Sequence, residues 1–362
     1  MLQHVSGFFG NPQIPVRIPN DDTSFNPQDF PNVIFLAHGK ISGKIRLVHG
    51  GVETDGSGQG LISTRVWVAR EGLSKEVILK PEFDQQTLTM TLETPSSWGI
   101  NTRIYHETMI QYPASLTSTG SLTVESPQTP FSSGQELSNL FFGAFKGSFS
   151  NASVELKALR ADLIQIRTSN AAIRGQFEAG HLDLSTSNGS IEAKVQVRDA
   201  WDGKQSTVRT KTSNARIECT VSALETSRGL WMANTTSNGR LEIGALLAKA
   251  DRASFIQNMT NNAKIHLNVD AGRTEQALEV KQKTANGSIT SSIKLPPNQN
   301  FKGSADSSNA YVEVNLVSCN TQMLEVLFSF IFRRFSPFFF FNTNLFAMRK
   351  KIDGRVPRIV HA

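Results

Sequence analysis

The sequence predicts an all-β fold of stacked coils, a single-stranded β-solenoid (β-helix) with opening coils or a β cap at its N-terminal end. Two observations predict it. Between residues 149 and 314 the chain repeats one short phrase eight times: a small polar pair, an asparagine, Ala or Gly, any residue, then an aliphatic. The asparagines are Asn151, Asn170, Asn188, Asn214, Asn238, Asn262, Asn286 and Asn309, at spacings of 19, 18, 26, 24, 24, 24 and 23 residues, the period range of stacked repeats. Aligned on that asparagine, the position three residues downstream is an unbroken aliphatic column: Val154, Ile173, Ile191, Ile217, Leu241, Ile265, Ile289 and Val312. A column of that kind must face a core.

Two positions further on stand Leu156, Gly175, Ala193, Cys219, Ile243, Leu267, Ser291 and Val314. They are mostly apolar or small, as the buried side of a period-two strand requires. A coil of short strands cannot bury its apolar face alone, so successive coils stack about 4.8 Å apart with backbone hydrogen bonds along the stack. Stacked asparagines then bond amide to amide up the axis, as in cross-β ladders. Thr168, Thr186, Thr212, Thr236, Thr260, Thr284 and Ser307, two residues upstream, form a second ladder. The residue after the asparagine is only Ala or Gly, so a tight corner is expected there, with asparagine suited to a left-handed backbone. These columns read as structural ladders rather than ligand-binding groups.

The stretch from His181 to Glu192, with its Ser185-Thr-Ser-Asn188-Gly-Ser-Ile191 core, has kin at Thr236-Ser-Asn-Gly-Arg-Leu-Glu242 and Thr284-Ala-Asn-Gly-Ser-Ile289. These segments resemble the "TSNG-x-I" coils of an adhesin domain family found in bacteria and fungi. The resemblance covers residues 145 to 317 and implies a right-handed β-solenoid at a cell surface or membrane, with no catalytic residues to carry over. Departures are Asn261-Asn262 in place of Ser-Asn, Phe149 in place of Thr, and longer linkers such as Arg198 to Gln205, read as loops bulging from one edge.

Taken in chain order, residues 1–31, rich in Pro, Asn and Asp, read as a loose lead-in. Residues 33–148 read as β: Arg65 to Val68, Thr87 to Leu92 and Ser121 to Glu125 alternate, and turn signals at Gly50-Gly51 and Pro95-Ser96-Ser97 separate the runs. They are expected to supply the opening coils or cap, because a bare end would expose a sheet edge. Residues 149–317 are the repeat region, whose best helical candidate is the short segment Gly244 to Asp251. Residues 321–362 differ: nine of the chain's 23 phenylalanines fall between Phe328 and Phe346. Arg333 and Arg334 split that run into pieces too short to cross a bilayer. An interfacial hairpin helped by Arg349, Lys350 and Lys351, a translated pyrimidine-rich non-coding stretch, and an ordinary packed element all stay open.

Charge argues against nucleic acid as a partner. The chain is +6 overall, but residues 321–362 hold seven basic and two acidic residues, leaving 30 basic against 29 acidic in the rest. A nucleic-acid binder carries its basic excess on the folded domain. Cys219 and Cys319 lie 100 residues apart and Cys219 falls in a core column, so a buried free thiol is expected. Asp55-Gly56-Ser-Gly58-Gln-Gly60 looks like a phosphate loop but lacks the glycine spacing and leads into alternating Ile62 to Val68, so it reads as a hairpin loop. Of five glycosylation sequons, three coincide with Asn151, Asn188 and Asn286. Only Asn234 and Asn258 are open to sugar, and Met1 to Gly10 lacks the basic start and long apolar core of a signal peptide.

One outward column invites chemistry. Four residues after the asparagine come Glu155, Glu192, Glu218, Glu242 and Glu313, interrupted by Arg174, His266 and Thr290. Carboxylates one coil apart sit at about 5 Å, near the separation a retaining glycosidase uses. Arg216, Arg240 and Lys264, two residues before Glu218, Glu242 and His266, more simply make a solvated ion-pair lattice. No cluster has metal-ligand spacing and no Gly-x-Ser-x-Gly elbow appears, so neither metal nor cofactor is expected. The leading reading is a non-enzymatic solenoid engaging a surface, glycan or protein partner through residues such as Arg216, Glu218, Arg240, Glu242, Lys264 and His266. Its rivals are a carbohydrate-active solenoid using Glu218 and Glu242, which aromatic residues flanking that column would favour, and a membrane-tethered scaffold, which depends on the tail. Of the aromatics in the repeats, Trp201 and Trp231 are placed in linkers.

Overall fold

A computed structural model describes residues 16–18, 22–50, 58–69, 71–96, 103–225, 228–248, 250–272, 276–296, 300–318 and 324–329. The described chain is β-structure with two short 3₁₀ turns, Glu71–Glu76 and Gln135–Asn139. It divides into two compact units, residues 1–195 and 196–362.

The first unit contains β1 (Val16–Ile18), β2 (Thr23–Phe25), β3 (Asn32–His38), β4 (Ser42–His49), β5 (Gly60–Val68), β6 (Ile78–Asp84), β7 (Thr87–Glu93), β8 (Ile104–Tyr112), β9 (Ser118–Glu125), β10 (Phe131–Ser133), β11 (Phe141–Ser148), β12 (Val154–Arg167) and β13 (Ile173–Ser185). β14 (Ile191–Arg198) runs across the boundary. Two parallel series run through this unit. One joins β7, β3, β9, β11 and the second half of β12. The other joins β8, β4, β10 and the first half of β12. β13 pairs in parallel with the whole of β12, Val154 to Ile173 and Ile164 to Leu182. At the beginning the pattern turns antiparallel: β1 and β2 lie on β5, β5 on β8, and β6 on β7.

Two expectations need correction in this unit. Part of the lead-in is not loose, since β1 and β2 are strands bonded to β5. The glycine loop before β5 does not close a hairpin: β4 and β5 each pair with β8, one parallel and one antiparallel. Most of that loop, residues 51–57, lies outside the described residues. Pairing is also not sequential, because β3 sits between β7 and β9, which follow it by some fifty residues or more. β6 is almost wholly exposed, and its Pro81, Lys80, Glu82 and Asp84 are residues that blunt a sheet edge.

The second unit is more regular. It holds β15 (Ser206–Lys211), β16 (Ile217–Glu225), β17 (Leu230–Thr235), β18 (Leu241–Leu247), β19 (Ser254–Met259), β20 (Ile265–Asp270), β21 (Leu278–Thr284), β22 (Ile289–Leu295), β23 (Phe301–Ser307), β24 (Val312–Ser318) and β25 (Leu324–Ser329). Each strand pairs in parallel with the strand two along, so each repeat contributes two strands to two separate series. β15, β17, β19, β21, β23 and β25 form one, and β16, β18, β20, β22 and β24 the other. Register places Ile217, Leu241, Ile265, Ile289 and Val312 in one column, all of them buried. Cys219 occupies the next inward column, fully buried, and burial pushes its thiol up to about 12. The segment from Gly244 is strand, not helix, up to Leu247: it must pair with Thr220 to Ala223 on one side and Asn268 to Asp270 on the other. Of the Phe-rich tail, residues 324–329 pair with β23; residues 330–362 and Cys319 lie outside the described residues.

The corners show why each residue type recurs. In the first unit Asn170 donates from Nδ2 to Asn151 Oδ1 at 2.6 Å and Asn188 to Asn170 at 2.7 Å. In the second, Asn238 donates to Asn214 (2.8 Å), Asn262 to Asn238 (2.7 Å), Asn286 to Asn262 (2.6 Å) and Asn309 to Asn286 (2.5 Å). None of these asparagines is left-handed, the one described non-glycine residue with positive φ being Gln85. Asparagine therefore serves here through its amide rather than its backbone. The threonine two residues upstream is buried; Thr236 donates to the carbonyls of Ser213 and Ala215 and accepts from the Gly239 N–H at 3.1 Å.

The Ala-or-Gly rule is a clearance rule. A Cβ on Gly239 would lie 1.6 Å from the Ala215 carbonyl oxygen, and one on Gly189 or Gly287 would meet Ala171 or Ala263 just as closely. In the second unit the position alternates Ala215, Gly239, Ala263, Gly287, Ala310. Gly239→Ala is expected to destabilise by about 1–3 kcal/mol through overpacking against backbone. The measurement is the denaturant midpoint at unchanged m-value. The converse change, Ala263→Gly, should cost no more than about 1 kcal/mol.

Candidate interaction faces

Strand alternation turns every second side chain of β16, β18 and β20 outward, and register then decides which of them meet. Glu218, Glu242, His266, Thr290 and Glu313 form one outward column. Arg216, Arg240 and Lys264 stand at the corner just before it. Arg216 Nη2 lies 3.5 Å from Glu218 Oε2 and Arg240 Nε 2.8 Å from Glu242 Oε1, each pair within one strand end. In the first unit Arg174, aligned with Glu155, donates from Nε to Glu192 at 3.1 Å. Basic residues thus alternate with the glutamates and relieve repulsion between like charges in neighbouring strands. Glu218 and Arg216 are about half exposed, at 52% and 47%, so their pairing contributes little to stability. The six residues Arg216, Glu218, Arg240, Glu242, Lys264 and His266 do share one face, three per column across three strands.

The opposite strand series carries a second outward face that sequence reading passed over. Thr207, Trp231, Phe255, Glu279 and Lys302 make one column, and Arg209, Ala233, Gln257, Lys281 and Ser304 the next. Trp231 lies within β17 rather than in a linker, whereas Trp201 is in the turn before β15 and is 74% exposed. The Trp231 and Phe255 rings stack with centroids 6.4 Å apart and planes 15° apart. The Arg209 guanidinium is 4.6 Å from the Trp231 centroid and Lys281 Nζ 5.2 Å from that of Phe255. A signal was available: these residues stand seven and five positions before the corner asparagines, at the same fixed offsets in every repeat of the second unit.

The inward side of the same strands is partly polar. Thr210 donates to Asn234 Oδ1 at 2.6 Å and Asn234 Nδ2 to Asn258 Oδ1 at 2.8 Å, with all three side chains buried. This overturns the expectation that Asn234 and Asn258 are open to sugar, because both amides are inside the fold at 0% exposure. Period two, counted from Leu230 and Ser254, would have assigned them inward.

In the first unit an open depression of about 550 Å³ is lined by Pro27, Gln28, Pro31 and residues 115–120. It holds no charged side chain. Among the described residues no three His, Cys, Asp or Glu side chains gather as a metal site, and no helix is long and apolar enough to cross a membrane.

No protein-family model and no curated protein matches this chain. Among solved structures it is similar to a "putative adhesin" from Parabacteroides merdae ATCC 43184, with 14% identity, TM-score 0.31, and coverage of 83% of this chain and 95% of that one. A "putative adhesin" from Parabacteroides distasonis ATCC 8503 matches at 12% identity and TM-score 0.31, covering 85% and 96%. A "putative cell adhesion protein" from Clostridium sporogenes ATCC 15579 matches at 10% and 0.23, covering 68% and 99%. Likeness at this level defines neither a family nor an activity for the chain.

Proposed function

We propose that this protein is a non-enzymatic, adhesin-like β-solenoid whose outward strand faces engage a surface, glycan or protein partner. The observation that carries the reading is the register of the second unit. Equivalent outward side chains recur strand after strand, as Glu218, Glu242 and His266 do on one series and Trp231 and Phe255 on the other. A repeating face of this kind gives a partner many weak, evenly spaced contacts, the way solenoids use their extended surfaces. Glu218 and Glu242 are each tied to an arginine of their own strand, the arrangement of a solvated lattice rather than of an acid and a nucleophile flanking a glycosidic bond.

A glycan array with the wild-type protein beside Glu218→Gln and Glu242→Gln tests this. Wild type should bind its ligands without releasing reducing ends from them, and either substitution, at a residue of the proposed face, should change affinity alone. Polysaccharide cleavage that either substitution abolishes would replace the reading with the carbohydrate-active alternative.

A further inference from the structure

The face built from β15, β17, β19, β21 and β23 differs electrically from the rest of the chain. It exposes Arg209, Lys211, Lys281, Lys283 and Lys302 against Glu279 and Asp306, while residues 1–320 as a whole are nearly balanced. Lys281 is paired with Glu279 at 2.8 Å. Among the described residues, Arg209, Lys211, Lys283 and Lys302 make no ion pair.

The aromatic pair organises this charge. By strand order Arg209 and Phe255 flank Trp231 on opposite sides, and Trp231 and Lys281 likewise flank Phe255. Arg209, Trp231, Phe255 and Lys281 therefore form one continuous stack across four strands. Each cation is drawn to the face of its ring, which favours the side-chain rotamers that keep it there. A guanidinium laid on an indole keeps its N–H fork free at the edge, in the geometry that takes carboxylate or sulfate groups. Arg209 and Lys211 on β15 and Lys281 and Lys283 on β21 make two cationic bands three strands apart, about 14 Å at the usual spacing. Between them lie the uncharged side chains of Ala233, Thr235, Gln257 and Met259.

We propose that this face binds an acidic polysaccharide, one bearing carboxylate or sulfate groups at regular intervals, across the bands Arg209/Lys211 and Lys281/Lys283. The proposal rests on the binding reading given above and names its ligand class. Charge complementarity favours a polyanion. The closed stack disfavours single-stranded nucleic acid, which needs open ring faces for its bases; here those faces are filled by one another and by the two cations.

The test is titration of the full-length protein with size-defined heparin and polygalacturonate oligosaccharides. Uncharged dextran oligosaccharides, single-stranded DNA of matched charge and phosphatidylserine vesicles serve as comparators. At least one acidic oligosaccharide should bind saturably and more weakly as salt rises, because exposed charges are screened beyond about 10 Å at 0.1 M. The double variant Arg209→Glu/Lys211→Glu should weaken binding about tenfold or more, as expected for loss of charge-assisted contacts, at an unchanged melting temperature. Lys157→Glu/Lys194→Glu, an equal charge change on exposed strand positions of the first unit, should stay within about twofold. Equal losses in both variants, no saturable binding of either acidic oligosaccharide, or equal or tighter binding of DNA, dextran or vesicles overturns the proposal. A ligand found on the glycan array that binds Arg209→Glu/Lys211→Glu as well as wild type sinks this face alone and leaves the binding reading intact.

Discussion

Replacing Leu241 by alanine is expected to destabilise the protein by about 3–4 kcal/mol, within the range for truncating a buried leucine. Leu241 is 0% exposed and stands in register between Ile217 and Ile265. Collapse of the structure onto the lost methyl groups would lower that cost, but here the backbone resists it. Ile217 N–H donates to the Arg240 carbonyl at 2.9 Å and Leu241 N–H to that of Lys264 at 3.0 Å, so the strand is pinned on both sides. The cavity therefore persists and its lining loses contacts outright. Leu241→Ile conserves volume and suits a strand, and should cost under about 1.5 kcal/mol. Val312, in the same column at the second unit's far end, is smaller and 6% exposed, so Val312→Ala should cost less than Leu241→Ala. Equilibrium denaturation of the three variants checks the order. If Leu241→Ala fell within about 1 kcal/mol of wild type, Leu241 would not be the core contact that its register makes it.

The aliphatic column was legible because two periods coincide in it: every second residue along a strand points inward, and every repeat of about 24 residues returns the same strand. Either period alone is not enough to place a residue. The sequons at Asn234 and Asn258 point to surface positions, whereas counting by two from Leu230 and Ser254 places both side chains inside. Trp231 reads as a linker residue when the columns are counted forward from the asparagine, and as part of a strand only when they are counted back from the next one. Gly244 to Asp251 offers a short run of good helix formers, but the strand bonds waiting on either side of β18 decide its conformation. The first unit was less legible for a different reason: β3 pairs with strands that come some fifty to ninety residues later, and no local pattern encodes that choice. The charged faces were half legible. The glutamate column and its basic neighbours appear in the repeat itself, whereas the Arg209, Trp231, Phe255 and Lys281 stack requires knowing that consecutive repeats are adjacent strands.

Acid should weaken the first unit through a residue that no motif marks. His106 in β8 is 0% exposed, with Nδ1 2.9 Å from Thr108 Oγ1 and Nε2 3.0 Å from Thr129 Oγ1, and its ring lies against Phe35 at 6.4 Å. Thr108 Oγ1 is itself 3.2 Å from Thr64 Oγ1. Two hydroxyls satisfy a neutral imidazole, one donating and one accepting, and burial lowers the ring from 6.5 to about 3. Because the folded value lies below the unfolded one, the unfolded chain takes up the proton first as pH falls. Stability is therefore unaffected by this group above pH 6.5 and declines from there toward pH 3, by about 1.4 kcal/mol per unit. Between pH 7 and pH 5 the loss from His106 alone should be about 2 kcal/mol. His106→Gln keeps a donor and an acceptor in the site but cannot titrate, so every other ionisation cancels when the two stability profiles are subtracted. The difference curve should slope only below about pH 6.5. Parallel profiles for wild type and His106→Gln, or an imidazole resonance of His106 titrating near its ordinary value, would show that the ring is not held neutral by its burial.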